Sequence, residues 1–202
     1  MVAGLILAAG MSRRMCQPKM LLSWRGQPLV RHLAQVALAV PLTPLIVVTG
    51  HVGEAVAAAL GGLPLVIAHN PDFEQGQSTS LIAGIRALGS DVDAVAVLLV
   101  DQPLVTPELL LCLVSEQAQW PEQIIAPSFC GQRGNPVIFP RGIWPELLTV
   151  TGDRGARAVI QRSPERLQLV PVDTSAVIDD VDTPAEYAAL QNATQREGPP
   201  NA

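Results

Sequence analysis

The sequence predicts an α/β fold: a single domain of three layers, with a mostly parallel sheet covered by helices on both faces. Three observations predict it. Short apolar runs recur along the 202 residues, several of them apolar throughout instead of alternating, as strands covered on both faces require. Stretches with helical spacing of their apolar residues separate these runs. The composition is 49% hydrophobic but only 3% aromatic, which suits an aliphatic interior. Alternation of strand and helix then favours a parallel sheet, because each crossover returns the chain to the same end.

The strand candidates are "GLILAA" from Gly4, "PLIVVTG" from Pro44, "PLVIAH" from Pro64, "AVAVLLV" from Ala94, "QIIAPS" from Gln123, "PVIF" from Pro136 and "LQLVPV" from Leu167. Between them, "QPLVRHLAQVALAV" from Gln27 spaces its apolar residues at three and four, and "GEAVAAAL" from Gly53 is rich in the best helix former. "STSLIAGIRAL" from Ser78 and "TPELLLCLVSEQA" from Thr106 come next. The latter opens with Thr106 as N-cap, Pro107 at the first helical position and Glu108 in the first turn. "TPAEYAAL" repeats the device, with Thr183 and Glu186 as a capping box around Pro184. No internal repeat or linker divides the chain, so residues 1–191 are expected to form the domain. The polar, Pro-rich remainder, 192–202, is expected to be a disordered tail.

Charge and cysteine content narrow the function. A net charge of −5 disfavours nucleic acid as a partner, since that needs a broad basic surface. No uncharged apolar run approaches the roughly 18 residues of a membrane span. The opening lacks the basic, apolar and small-residue order of a signal peptide, so a soluble, cytoplasmic chain is expected. Cys16, Cys112 and Cys130 offer neither a disulfide framework nor a metal knuckle, and Cys112 within "ELLLCLV" is expected to be a buried small hydrophobe. His32, His51 and His69 show no metal-ligand spacing.

The segment "LILAAGMSRRMCQPKMLL", residues 5–22, joins a buried strand to an unusual loop of small and basic residues. In an open α/β sheet, ligands bind beyond the carboxyl ends of the strands, which is where this loop begins. Ala8, Ala9 and Gly10 leave backbone accessible to a flat group. Ser12, Arg13, Arg14 and Lys19 then supply donors and positive charge on a flexible loop, a chemistry suited to polyphosphate. It matches neither a P-loop nor a G-x-G-x-x-G turn. A solvated loop whose basic residues happen to cluster is the alternative.

"AVAVLLVDQP" ends a buried strand in Asp101, at the same sheet edge, with Pro103 preventing continuation and Gln102 shaping the turn. A carboxylate facing a triphosphate calls for a divalent cation between them, and Mg²⁺ needs only one or two carboxylates. Capping of the next turn is the competing role for Asp101. "VIDDVDTPAEY" supplies Asp179, Asp180 and Asp182, of which Asp180 and Asp182 share a face if the segment is extended. "GQSTSLIAGI" places Gly76, Ser78 and Ser80 at a helix start, where free amides favour phosphate, unless Ser78 is simply an N-cap. "GQRGNPVIF" is a glycine-containing turn into a strand. "GDRGAR" offers Asp153 and Arg157, or an ordinary helix start.

"LAAGMSRRM" followed by "PKMLL" resembles the L-A-[AG]-G-x-S-x-R-M-G-x-x-K-x-L signature of the MobA-like nucleotidyltransferases. The likeness continues in order through "GQSTSLIAGI", "LVDQPLVTPELL", "GQRGNPVIF", "GDRGAR" and "VIDDVDTPAEY", and so spans nearly the whole chain. Ala9 is similar to the branch that transfers CMP to the molybdenum cofactor; guanylyltransferase relatives more often carry Gly there. The resemblance implies a Rossmann-like fold of the nucleotide-diphospho-sugar transferase type. It implies a nucleotide site of Leu7, Ala8, Ala9, Gly10, Ser12, Arg13, Arg14, Lys19, Gly76, Ser78 and Ser80, with Arg14, Lys19 and Asp101 in catalysis. Mg²⁺ on Asp101 and Asp182, and an acceptor site of Gly134, Asn135, Pro136, Asp153 and Arg157, are implied likewise.

The reaction implied by the resemblance joins CMP from CTP to the terminal phosphate of Mo-molybdopterin, with pyrophosphate released. A molybdenum hydroxylase apoenzyme or its chaperone is the expected recipient. Transfer from GTP, another phosphorylated acceptor, and a non-catalytic cofactor carrier are the alternatives. One position departs from the family: Cys16 stands where Gly is usual, at a cost of about 1–2 kcal/mol if the backbone is left-handed there.

Overall fold

The computed structural model describes residues 1–15 and 17–196. Each apolar run forms a strand: β1 (Val2–Ala8), β4 (Leu42–Thr49), β5 (Val66–His69), β6 (Ala94–Leu99), β7 (Ile124–Phe129), β9 (Val137–Pro140) and β10 (Leu167–Pro171). Three two-residue strands join them: β2 (Ser23–Trp24) pairs with β3 (Gln27–Pro28), and β8 (Gln132–Arg133) pairs with β7. The main sheet runs β10-β7-β9-β6-β1-β4-β5. β1 lies parallel to both β4 and β6, and β4–β5 and β10–β7 are also parallel.

β9 alone on this path runs antiparallel to its neighbours, β6 and β7. The reversal starts in the two-residue turn Cys130–Gly131, where both residues have positive φ (49° and 81°). Such turns match the twist of the strands they join, so β8 and then β9 return along the sheet. The apolar run "PVIF" carries no trace of this direction.

The helices divide between two faces. α1 (Leu29–Leu38), α2 (Gly53–Ala59) and α4 (Pro107–Gln119) pack with Ile6, Ala8 and Leu98 on one side. α3 (Gln77–Arg86), α5 (Trp144–Leu147) and α6 (Arg157–Arg162) pack with Leu5, Leu7 and Val97 on the other. Alternate residues of β1 therefore enter different cores, which explains why the strand is apolar throughout.

Thr106 caps α4 by accepting the Leu109 N–H at 3.3 Å, a contact worth about 1 kcal/mol. The expectation for Cys112 is corrected: it is exposed. α4 turns Leu109, Leu110, Leu113 and Gln117 inward, and the helical period puts Leu111 and Cys112 outside. A run apolar on every side does not announce which stripe is buried.

α7 (Pro184–Arg196) begins at the expected capping box. Glu186 accepts the Thr183 N–H at 2.8 Å, and Thr183 Oγ1 accepts the Glu186 N–H at 3.3 Å. The Tyr187 hydroxyl donates to the Ser23 carbonyl and Leu190 packs on the core, so the helix has a docked face and carries on through residues 192–196 of the expected tail. Residues 197–202 of that tail, and Cys16, lie outside the described residues. Among the described residues no helix is long and apolar enough to cross a membrane.

Candidate active site

The loop after β1 is anchored to the core at two described residues. Met15 and Met20 are almost fully buried in the core shared with α1 and α2, and each adjoins a cation, Arg14 and Lys19. Ser12 adopts a left-handed φ of 51° and closes the loop: its Oγ accepts the Lys19 N–H at 2.9 Å, and its carbonyl accepts the Met15 N–H at 2.9 Å. The hydroxyl hydrogen of Ser12 is left to donate elsewhere. The methionines in "RRMCQPKM" are thus anchors, and the basic residues beside them are held over the carboxyl edge of β1.

Asp101 comes after β6 in a turn closed by the Gln102 N–H on the Leu99 carbonyl at 3.2 Å. The segment before α7 is stitched to that turn. The Val181 N–H donates to the Asp101 carbonyl at 2.8 Å, and the buried Gln102 Nε2 donates to the Val177 carbonyl (3.1 Å) and Asp180 Oδ1 (2.8 Å). These bonds bring Asp182 beside Asp101 across a sequence gap of 81 residues, the difference of their numbers. Glu186 Oε2 also accepts the Asp182 N–H at 2.8 Å, so the capping box fixes the backbone and leaves the Asp182 carboxylate free for the cleft.

Four charged groups meet there. Lys19 Nζ donates to Asp101 Oδ2 at 2.8 Å and to Asp182 Oδ1 at 2.7 Å, while Arg14 Nη2 donates to Asp182 Oδ2 at 2.7 Å. Burial alone would lower the pKa of the Lys19 ammonium, but the carboxylates of Asp101 and Asp182 outweigh it and the net direction is up. Burial likewise acts to raise Asp182, and Lys19 and Arg14 bring it below the usual carboxylate range. Asp180 goes the other way: burial and the charge of Asp101 push it up, against the Gln102 hydrogen bond.

The fourth oxygen of the Asp101–Asp182 pair, Asp101 Oδ1, is buried without a hydrogen-bond partner. A buried carboxylate oxygen in that state is costly and fits a hard cation. Among the described residues no group of three or more His, Cys, Asp or Glu side chains forms a complete cage. Two carboxylates nevertheless suit Mg²⁺, which keeps waters and takes phosphate oxygens.

His32, on α1, braces the Asp101 turn from behind, with Nε2 at 3.1 Å from the Pro103 carbonyl. Burial pushes its pKa below 6.5, with the Pro103 carbonyl acting in the opposite direction. A histidine depressed in the fold binds fewer protons there than in the unfolded chain. Its stabilisation is therefore complete above the unfolded pKa and is lost as pH falls toward the folded one. His32→Gln is expected to reduce the stability lost between about pH 7 and about pH 5, measured by thermal unfolding. Identical pH slopes in both proteins would count against the assignment.

Two cavities open at this edge. The smaller, about 330 Å³, is lined by Ala9, Gly10, Ser12, Lys19, Gly76, Ser80 and Asp101, among others. The larger, about 720 Å³, is lined by Arg133, Asn135, Val137, Phe139, Asp153 and Arg157, among others. They share Leu7, Arg14, Gln77, Leu99, Asp153 and Asp182, and so form one cleft with two lobes.

Most of the candidate residues from the sequence thus come together, but some do not face the cleft. Ala8 is buried on the other side of β1. Ser78 is neither a cap nor a lining residue: α3 starts one residue earlier, with Gly76 at the cap, and Ser78 is buried in its first turn. The side chain of Arg13 lies outside the described residues. Gly134 and Pro136 line neither lobe. A Cβ on Gly134 would lie 2.3 Å from the Val177 carbonyl oxygen, so this glycine lets β8 pass against the Val177 segment. Gly76 has φ +108° and no room beside Gly152 and Asp153, where a Cβ would come within 2.7 Å of both. Arg133 is a lining residue that was missed; its only signal was a basic side chain directly before Gly134 in "GQRGNPVIF".

The chain resembles known proteins over most of its length. The family model described as the MobA-like NTP transferase domain matches residues 4–168. The chain is 32% identical over 192 residues to a nicotine blue oxidoreductase of Paenarthrobacter nicotinovorans, covering 90% of this chain and 92% of that protein. It is also 32% identical over 199 residues to the purine catabolism protein PucB of Bacillus subtilis, covering 94% and 96%. The crystal structure of Rv0371c from Mycobacterium tuberculosis superposes with a TM-score of 0.85 at 26% identity, covering 95% of this chain and 97% of that one. Rv0371c has also been solved in complex with manganese.

Proposed function

The chain belongs to the MobA-like NTP transferase family, and from that premise we propose that it joins CMP from CTP to the terminal phosphate of Mo-molybdopterin. One observation supports this above the others: Lys19, Arg14, Asp101 and Asp182 converge where a small lobe of backbone and hydroxyl donors opens into a larger, apolar-floored one. A nucleoside triphosphate suits the first lobe and a flat phosphorylated acceptor the second. The junction is where the two phosphates would meet.

An oxygen of the acceptor phosphate attacks the α-phosphorus of CTP. The bond from that phosphorus to the bridging oxygen of the β-phosphate breaks, and pyrophosphate leaves with the electron pair. No side chain need act as base, because the attacking phosphate is already anionic at neutral pH. Lys19 and Arg14 offset charge that builds on the departing pyrophosphate. Ser12 and the backbone around Gly10 hold the triphosphate so that attack is in line. Asp153, at the shared opening, accepts hydrogen bonds from ligand N–H groups such as those of a pterin. Asp101 and Asp182 would hold Mg²⁺, which when bound neutralises phosphate charge and aligns the reacting oxygens. Ala9, buried at the floor of the small lobe, favours CTP over GTP.

The test is pyrophosphate release by purified protein with Mg²⁺ and Mo-molybdopterin, with CTP, GTP, ATP and UTP in parallel. Release with CTP alone is expected. Release with GTP would keep the chemistry and change the nucleotide. A carrier would bind the pterin and release nothing. An oxidoreductase, the name one relative bears, would consume a reductant without pyrophosphate release.

A further inference from the structure

Asn70 is a polar side chain with no part in the proposed reaction, yet it is only 2% exposed and bonded at both ends of its amide. It comes directly after β5, where its N–H donates to the Thr49 carbonyl at 2.8 Å. Its Oδ1 accepts the Asp72 N–H at 3.0 Å. Its Nδ2 donates to Thr79 Oγ1 at 2.9 Å and to Ser80 Oγ at 3.0 Å. The backbone N–H of Asp72 can only donate, which fixes the end of the amide that carries oxygen. Both amide hydrogens then go to hydroxyl oxygens.

The two hydroxyls differ in where their own hydrogens go. Thr79 donates to the carbonyl of Asp72 or Gly76, each at 2.9 Å. Ser80 Oγ accepts from Asn70 and, among the described residues, has no acceptor for its hydrogen. Ser80 is 5% exposed and lines the small lobe. A ligand acceptor in that lobe completes the hydroxyl. A ligand donor would have to use the remaining lone pair and leave the Ser80 hydrogen buried without a partner, which is costly.

The surroundings of Ser80 suit a base better than a phosphate. Asn70 joins Ser80 to Asp72, the residue before Phe73, and Phe73 lines the small lobe together with Ala9. Gly50 lets that segment sit against Ala9: a Cβ there would be 2.8 Å from both the Ala9 carbonyl oxygen and Phe73 Cβ. The cations of the lobe, Arg14 and Lys19, are held instead by Asp101 and Asp182.

Resting on the nucleotide reading above, we propose that Asn70 is a positioning residue for base choice. It occupies a lone pair of Ser80 and so turns the serine hydrogen toward the ligand. The lobe then takes a base with an acceptor on that edge and disfavours one with N–H. Cytosine presents its unprotonated N3, whereas uracil carries N3–H and guanine N1–H at the corresponding place. Cytosine is told from uracil through a residue that does not touch the nucleotide.

The experiment measures binding of CTP, UTP and inorganic tripolyphosphate by isothermal titration calorimetry, with Mg²⁺ and without acceptor, so that no turnover enters. Wild type is expected to prefer CTP to UTP by about tenfold or more. Asn70→Asp keeps the size and the bond from the Asp72 N–H, but its carboxylate accepts from Ser80 where the amide donated. The Ser80 lone pairs then face the lobe. The CTP-to-UTP ratio should fall about tenfold or more, whatever the added charge does to both nucleotides alike. A residue that merely held the fold together would lower both affinities and keep the ratio. Ser80→Ala should also lose most of the preference, with tripolyphosphate affinity unchanged, and it carries the test if Asn70→Asp does not fold. Equal affinity of wild type for CTP and UTP, or a ratio unchanged in the folded variants, would overturn the proposal and leave the nucleotide reading intact. So would a loss of tripolyphosphate affinity in Ser80→Ala, which would put the hydroxyl on a phosphate. Failure of wild type to bind either nucleotide would overturn the nucleotide reading and this proposal with it.

Discussion

Asp101→Asn is expected to give a folded protein that releases pyrophosphate roughly two to three orders of magnitude more slowly than wild type. The substitution keeps the shape of the side chain. It also leaves the Asp101 carbonyl available to the Val181 N–H, the bond that seats the Asp182 segment against the turn. What it removes is charge. Asp101 Oδ2 accepts from Lys19, and Oδ1 is buried without a partner, so the carboxylate is arranged for a cation that the neutral amide cannot hold. The requirement for added Mg²⁺ should rise in parallel, because Asp182 is then the remaining proposed carboxylate ligand. Turnover within a few-fold of wild type at ordinary Mg²⁺ would remove Asp101 from the metal site. Loss of cooperative unfolding would mean that the side chain serves the fold.

The layers and most element positions were legible because they depend on local patterns. β1, β6 and α4 are long, periodic and bounded by turn or capping residues, and each formed where its pattern placed it. Contacts between distant segments were less legible. That Asp182 stands beside Asp101 is due to the Val181–Asp101 backbone bond and to Gln102 reaching Val177 and Asp180, none of which leaves a periodicity to read. The family resemblance, not residue spacing, brought Asp182 into the candidate set. Arg133 was passed over because one cation in a short turn has no pattern; only the fold shows that it lines the same lobe as Arg157. Ser78 misled for a physical reason: a serine early in a helix resembles a cap, but Gly76 takes the cap two residues sooner and Ser78 is buried in the first turn. The two buried methionines of the opening loop show the converse. Met15 and Met20 look like filler between basic residues, yet both are buried in the core and anchor the backbone beside Arg14 and Lys19.

Lys19→Met should change two properties in opposite directions. Turnover with CTP is expected to fall by about two orders of magnitude, since the leaving pyrophosphate loses its nearest cation. Affinity of the nucleotide-free protein for Mn²⁺ is expected to rise by about tenfold or more. Lys19 Nζ lies at 2.7–2.8 Å from both carboxylates, with its side chain only 12% exposed, so it occupies the place a divalent ion would take. Any such ion must first break two charge-assisted hydrogen bonds, each worth about 1.5–3 kcal/mol. Methionine fills a similar volume and offers no competing charge. Without metal, the variant leaves Arg14, among the described residues, to offset Asp101 and Asp182, and should be less stable by about 1–2 kcal/mol, since the site is partly solvated. Mn²⁺ should restore that loss in thermal unfolding. Free Mn²⁺ measured by electron paramagnetic resonance gives the affinity without any turnover. Unchanged Mn²⁺ affinity in the variant would mean that the ammonium and the metal do not share a place. Lys19 would then be a phosphate contact alone, and the pair it forms with the carboxylates would have no part in admitting the ion together with its nucleotide.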